Sequence, residues 1–111
     1  MENEGHLVCN HTAHHKDMSK ITDVTEFCSE LCSLEIAYKE LTGNEIQKFY
    51  RPPEGKFNKK NLKIASEYGY KTVFWSFAYA DWDNNKQPCV DAARKKVLDN
   101  IHNGAVLLLH P

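Results

Sequence analysis

The sequence predicts an α/β protein: strand, helix, strand, helix, strand, helix, strand along 111 residues, with parallel strands joined by helical crossovers. Two observations carry this expectation: a long amphipathic helix with recognisable ends, and two runs of β-branched, aromatic or aliphatic residues that each follow a helix. A third is the absence of any internal repeat, low-complexity tract or Pro/Gly/Ser linker, so the reading draws no domain boundary.

Residues 7–10 read as a short first strand. The first helix starts at Asp23, where Asp23 and Glu26 have capping-box spacing, and stops at Thr42-Gly43. Its apolar positions Val24, Phe27, Cys28, Leu31, Leu34, Tyr38 and Leu41 keep the i, i+3, i+4, i+7 rhythm, so one face must be covered. A short strand follows at Gln47–Tyr50, then a loop marked by Pro52, Pro53 and Gly55. A second helix opens on Asn58 as N-cap and runs through Leu62, Ala65 and Tyr68 to Gly69. Residues 70–77, rich in aromatic and β-branched side chains, read as one buried strand. A third helix spans roughly residues 91–102, and after Asn103-Gly104 the apolar run 105–109 reads as a last strand.

Composition narrows the function classes. With 41% hydrophobic and 26% charged residues the chain is ordinary globular material rather than disordered. A formal charge of −1 offers no sequence-wide attraction to phosphate backbones, so nucleic acid is not an expected partner. No uncharged apolar run approaches the ~20 residues needed to span a bilayer. Residues 1–5 lack the basic start and apolar run of a secretory signal, which leaves the compartment open. The cysteines Cys9, Cys28, Cys32 and Cys89 are sparse and are expected to be mostly buried thiols. Histidine is the anomaly, because His6, His11, His14 and His15 all fall in the first fifteen positions.

His11, Arg51, Asp81 and His110 each stand at or just beyond the end of a predicted strand, and chemistry in parallel α/β folds gathers there. Four polar clusters would then converge on one mouth. His11 and His15 are four apart, so a turn of helix would send both imidazoles to one side, where they could share a metal; a polar helix start with exposed histidines is the alternative. Arg51 precedes a rigid Pro52-Pro53 turn that could hold its guanidinium on a carboxylate, although such a turn also occurs on ordinary surfaces. Asp81 could orient a histidine and Trp82 could stack on a sugar ring, whereas Phe74 and Trp75 are assigned to packing. His110 ends an apolar strand and could act as a general acid, or simply be structural.

Taken together, the order His11-Thr12-x-x-His15, Arg51-Pro52-Pro53-x-Gly55, Asp81-Trp82 and Leu107-x-Leu109-His110 resembles motifs two to five of the polysaccharide deacetylases with a NodB-homology domain. Within that family, residues 49–57, 69–76 and 81–82 are most similar to the delta-lactam-biosynthetic de-N-acetylases of bacterial spore cortex, which act on muramic acid in peptidoglycan. The resemblance implies a distorted (β/α) barrel that removes acetyl groups from an N-acetylated cell-wall sugar with a divalent metal, zinc, and water. It implies His11 and His15 as metal ligands, His110 as the acid that protonates the departing amine, Arg51 as the holder of the catalytic base, and Asp81 as the partner that tunes His110. Trp82, Tyr79, Pro53 and Glu54 fall at its substrate-binding positions. A cell-wall, extracellular or spore-associated location follows from the same likeness.

The family's first motif, a strand ending in paired aspartates that supply the base and the third metal ligand, has no counterpart, since no Asp-Asp pair occurs in the sequence. The chain therefore reads as residues 1–111 of a partial deacetylase domain, incomplete at both ends, with poor or no turnover alone. Open strand edges would invite self-association. Two other readings stand beside this one: a non-catalytic fragment with a glycan-binding groove lined by Trp82 and Tyr79, and a small metal-binding domain using His11, His15 and Cys9.

Overall fold

A computed structural model describes residues 1–110 of the chain. They contain β1 (Cys9–Asn10), α1 (Val24–Thr42), β2 (Gln47–Tyr50), α2 (Lys59–Glu67), β3 (Lys71–Thr72), β4 (Phe77–Ala78), α3 (Val90–Asn100) and β5 (Leu107–Leu108). Every strand pair is parallel, as strands separated by helices require. The elements divide into two compact units, Met1–Val73 and Phe74–Pro111.

The first unit is a three-stranded sheet in the order β1-β2-β3, with Asn10 opposite Tyr50 and Tyr50 opposite Thr72. Local chemistry sets its helix ends. Asp23 accepts a hydrogen bond from the Glu26 N–H at 2.8 Å, and Gly43 takes the left-handed φ of 78° that closes α1. Asn58 caps α2 in the same manner, through the Asn61 N–H at 2.8 Å. Inside lie Met18, Ile21, Phe27, Leu31, Tyr50, Ile64, Ala65 and Tyr70. Phe27 and Tyr70 both meet the Tyr50 ring edge-on, at 5.9 and 6.5 Å between centroids. Burying a side chain such as Phe27 or Leu31 is worth about 1.5–3 kcal/mol. The apolar face of α1 is covered only along its middle, because Val24 and Leu41 at its ends are exposed.

Three expectations are corrected here. Residues 70–77 are not one buried strand: they give β3 and β4, in different sheets. The partner changes between them, since the Val73 N–H donates to Tyr50 while the Ser76 N–H donates to Val106, and side-chain pattern carries no record of that exchange. Of residues 70–77 only Tyr70 is buried; Phe74, assigned to packing, is 37% exposed and lies beside the Trp75 ring at 6.4 Å. The cysteines are not mostly buried: Cys9 and Cys89 are exposed, and Cys28 and Cys32 are half-buried on the flank of α1. Cys9 precedes buried Asn10 in β1, and alternation turns it outward.

In the second unit, β4 pairs with β5, placing Phe77 opposite Leu107 and Ala78 opposite Leu108. The third helix begins at Val90 and ends at Asn100, within two residues of the sequence reading. It buries none of its side chains.

Candidate functional site

The two units bring together two separate groups of the candidate residues. In the first, β1 ends on Asn10, whose side chain is almost fully buried. Its Nδ2 donates to the Leu31 carbonyl at 3.0 Å and the Tyr70 hydroxyl at 2.9 Å, while its Oδ1 accepts the Thr12 N–H at 2.9 Å. A buried amide with all these bonds made fixes where the following loop departs.

That loop is not the turn of helix that the His11/His15 spacing suggested. Thr12 and His15 both take left-handed backbone angles, φ 69° and 51°, a conformation that costs a non-glycine residue about 1–3 kcal/mol and needs outside contacts to hold it. The Thr12 hydroxyl accepts the His15 N–H at 3.1 Å. The loop nonetheless brings the His11 and His15 rings to 5.0 Å between centroids, edge to face. His11 Nδ1 lies 2.6 Å from the carbonyl oxygen of Arg51, an atom that only accepts, so Nδ1 carries the proton and Nε2 the lone pair.

Arg51 follows β2, and its N–H donates to the Asn10 carbonyl at 3.0 Å, tying the two strand ends together. Pro52 and Pro53 are buried beneath the turn, while Glu54 is exposed with a left-handed φ of 54° and pairs its carboxylate with Lys56.

Sequence reasoning missed Glu30. It is 4% exposed although it carries a carboxylate, and it accepts hydrogen bonds from the His14 N–H at 3.1 Å and His14 Nδ1 at 3.0 Å, with Lys16 Nζ at 3.0 Å. Burial pushes its carboxyl up, but the bonds from Lys16 and His14 outweigh this and hold it below its ordinary value. The readable signal was position, since Glu30 lies three residues after Phe27 and beside Leu31, on the inward side of α1.

In the second unit, Asp81 and His110 meet. Asp81 Oδ1 is 2.7 Å from His110 Nδ1, and its Oδ2 accepts the His110 N–H at 2.6 Å. These bonds hold the Asp81 carboxyl below the usual range; the backbone N–H contributes most, burial opposes it, and the imidazole bond adds to it. The Trp82 ring stands edge-on to that of His110 at 6.0 Å and is 65% exposed. Tyr79 lines a groove of about 430 Å³ with Val90, Ala93, Arg94, Val97 and Leu98; Trp82 is not part of that lining.

A divalent metal would meet two neighbouring imidazoles in the first unit, and neutral imidazole is a good donor for zinc. Among the described residues no group of three His, Cys, Asp or Glu side chains is arranged to share an ion, so Cys9 does not complete a third position. The fit is therefore to two of the three protein donors that a catalytic zinc site uses.

A model of the polysaccharide deacetylase family matches residues 1–73. The peptidoglycan-N-acetylmuramic acid deacetylase PdaA of Bacillus subtilis is 37% identical over 110 residues, which are 99% of this chain and 41% of that protein. A chitooligosaccharide deacetylase of Bradyrhizobium is 32% identical over 107 residues, 96% of this chain and 47% of that one. The structure of PdaA, a family 4 carbohydrate esterase, superposes with a TM-score of 0.92, covering 99% of this chain and 47% of PdaA. A CE4-family pseudoenzyme from Bacillus anthracis superposes at 0.81 with 28% identity, covering 94% of this chain and 35% of that one. The chain thus spans less than half the length of each of these relatives. Family 4 esterases fold as (β/α) barrels, and the alternating strands and helices here match a segment of them.

Proposed function

The chain belongs to the polysaccharide deacetylase family, and from that premise we propose that it carries part of the machinery for metal-dependent removal of N-acetyl groups from a cell-wall glycan. The observation that carries the reading is the His11/His15 pair, two imidazoles held 5.0 Å apart by a strained loop at a strand end. His11 and His15 would hold a divalent metal, zinc. Such an ion supplies Lewis acidity for the acetyl carbonyl and a water acidified to a pKa of about 7.

The chain's own groups do the rest. His110 delivers a proton to the departing amine, and Asp81 holds its ring by Nδ1, which leaves the opposite nitrogen to meet substrate. Arg51 is the holder of a carboxylate base; Trp82, Tyr79, Pro53 and Glu54 are the sugar-contacting positions. With the muramic acid deacetylase PdaA more similar than the chitooligosaccharide enzyme, at 37% against 32% identity, peptidoglycan is the favoured glycan. A cell-wall, extracellular or spore-associated setting suits that substrate. Since the sequence has no Asp-Asp pair to supply a base and a third ligand, turnover by these residues alone is poor or nil.

The test is acetate release from N-acetylated peptidoglycan and chitooligosaccharides, with zinc analysis, for this chain and for a version preceded by a relative's strand ending in Asp-Asp. The extended version should release acetate and the unextended one little; zinc-loaded protein that releases none in either form overturns the reading. The likeness to a pseudoenzyme favours one second reading, glycan binding without hydrolysis, which a calorimetric titration with the same glycans would reveal as saturable binding beside an absence of acetate release.

A further inference from the structure

We propose that Glu30 is the positioning residue for the His11/His15 pair, a carboxylate on α1 that pins the middle of the loop whose two ends carry the imidazoles. This rests on the reading of His11 and His15 as metal-holding groups.

Thr12 and His15 are the left-handed residues of this loop, and Ala13 and His14 lie between them. A segment bounded by two such residues relaxes toward ordinary backbone angles unless contacts from elsewhere over-determine it. Three of those contacts come from one residue of α1. The Ala13 N–H donates to the Glu30 carbonyl at 3.0 Å, the His14 N–H to Glu30 Oε2 at 3.1 Å, and His14 Nδ1 lies 3.0 Å from Glu30 Oε1. Lys16 Nζ reaches the same Oε1 at 3.0 Å, just past the loop. Asn10 and Thr12 fix the loop's start and its chord, through the Thr12 N–H and the His15 N–H, while Glu30 takes the N–H groups of Ala13 and His14 between them. Glu30 is 4% exposed, so water cannot readily replace it as acceptor, and α1 behind it is anchored by Phe27 and Leu31 with no measurable exposure. Its side-chain work is done chiefly through the backbone of His14, which makes the His14 ring dispensable.

Zinc titration calorimetry on this chain and four variants tests the assignment, with affinity taken per folded molecule from parallel denaturant melts. Glu30→Ala should weaken zinc binding by about 10–100-fold, the usual consequence of removing a group that orients a metal ligand. Glu30→Gln should recover most of that loss, because its amide oxygen still accepts the His14 N–H. His14→Ala should change affinity only a few-fold. Ile64→Ala, in the apolar core, should lower stability and leave affinity per folded molecule unchanged. Wild-type affinity in Glu30→Ala overturns the proposal. So does a Glu30→Gln loss as large as that of alanine, which would make the effect one of charge rather than position, or an Ile64→Ala loss of affinity equal to it, which would make it one of stability. A wild-type chain that takes up no zinc overturns the metal reading itself and the Glu30 assignment with it, whereas zinc binding that ignores Glu30 overturns the assignment alone.

Discussion

Met1–Val73 and Phe74–Pro111 are ordered by different means. The first closes on Met18, Phe27, Leu31, Tyr50 and Ala65, and its polar loops hang from that core through Asn10 and Glu30. In the second, Asp81 is the one buried side chain among the described residues, while Val90, Leu98, Ile101, Val106 and Leu109 are all exposed. Apolar burial is non-directional and insensitive to pH, whereas a carboxylate organises its surroundings only while ionised and hydrogen-bonded. Both groups of candidate residues thus hang on a carboxylate, Glu30 or Asp81, but only the first has an apolar core behind it, and core truncation and acid should affect them differently.

The largest effect expected is chemical and belongs to the second unit. In an acetate-releasing extended version, His110→Ala should lower turnover per folded, zinc-loaded molecule by about 10²–10⁴-fold while leaving zinc content unchanged. Near-normal turnover on that basis would remove His110 from the chemistry and leave its bond to Asp81 purely structural.

Next in size is the core of the first unit. Phe27→Ala should cost about 3–5 kcal/mol in denaturant unfolding, and amides in the middle of α1 should exchange with solvent far more slowly than those of α3. Equal protection in α1 and α3 would break the contrast between the units.

Acid provides a milder and more selective probe. The Asp81 carboxyl is held below its ordinary value, so its bonds contribute stability that is present above the unfolded pKa of about 3.9 and lost as pH falls through the folded value. With Trp75→Phe leaving Trp82 as the sole tryptophan, its fluorescence should report loosening around His110 below about pH 4. In Asp81→Asn that acid transition should vanish; its persistence would assign the transition to another group, and Glu30, depressed in the same direction, is the first to examine.

The smallest effect sharpens the comparison from the other side. Leu98→Ala, at a residue 60% exposed on α3, should change stability by no more than about 0.5 kcal/mol. A loss comparable to Phe27→Ala would mean that α3 is covered in solution, and sedimentation would then show the chain self-associating.

Much of this was legible in the residues. Asp23, Gly43 and Asn58 marked helix ends correctly because capping is local: Asp23 and Asn58 each satisfy an amide three residues on, and Gly43 takes the left-handed φ that lets its own N–H reach the Lys39 carbonyl. The i, i+3, i+4 spacing found the covered face of α1, though not that Val24 and Leu41 would stay exposed at its ends. The motif order identified the family because it is a property of residue identity and spacing alone. Other features depended on partners distant in sequence. Residues 70–77 break into β3 and β4 because their backbone groups are taken by Tyr50 in one case and Val106 in the other. His11 and His15 meet through left-handed angles at Thr12 and His15, where helical spacing had suggested a turn of helix. Glu30, sixteen positions beyond His14, belongs to the loop only once α1 has packed against β1. The sequence by itself determined the helix ends, the order of helices and strands apart from the break between β3 and β4, and the family, since each is written within a few residues or in residue order. Only the tertiary structure decided where a strand changes partner, how a strained loop is held and which carboxylates are buried, because those depend on backbone and side-chain partners that no local pattern encodes.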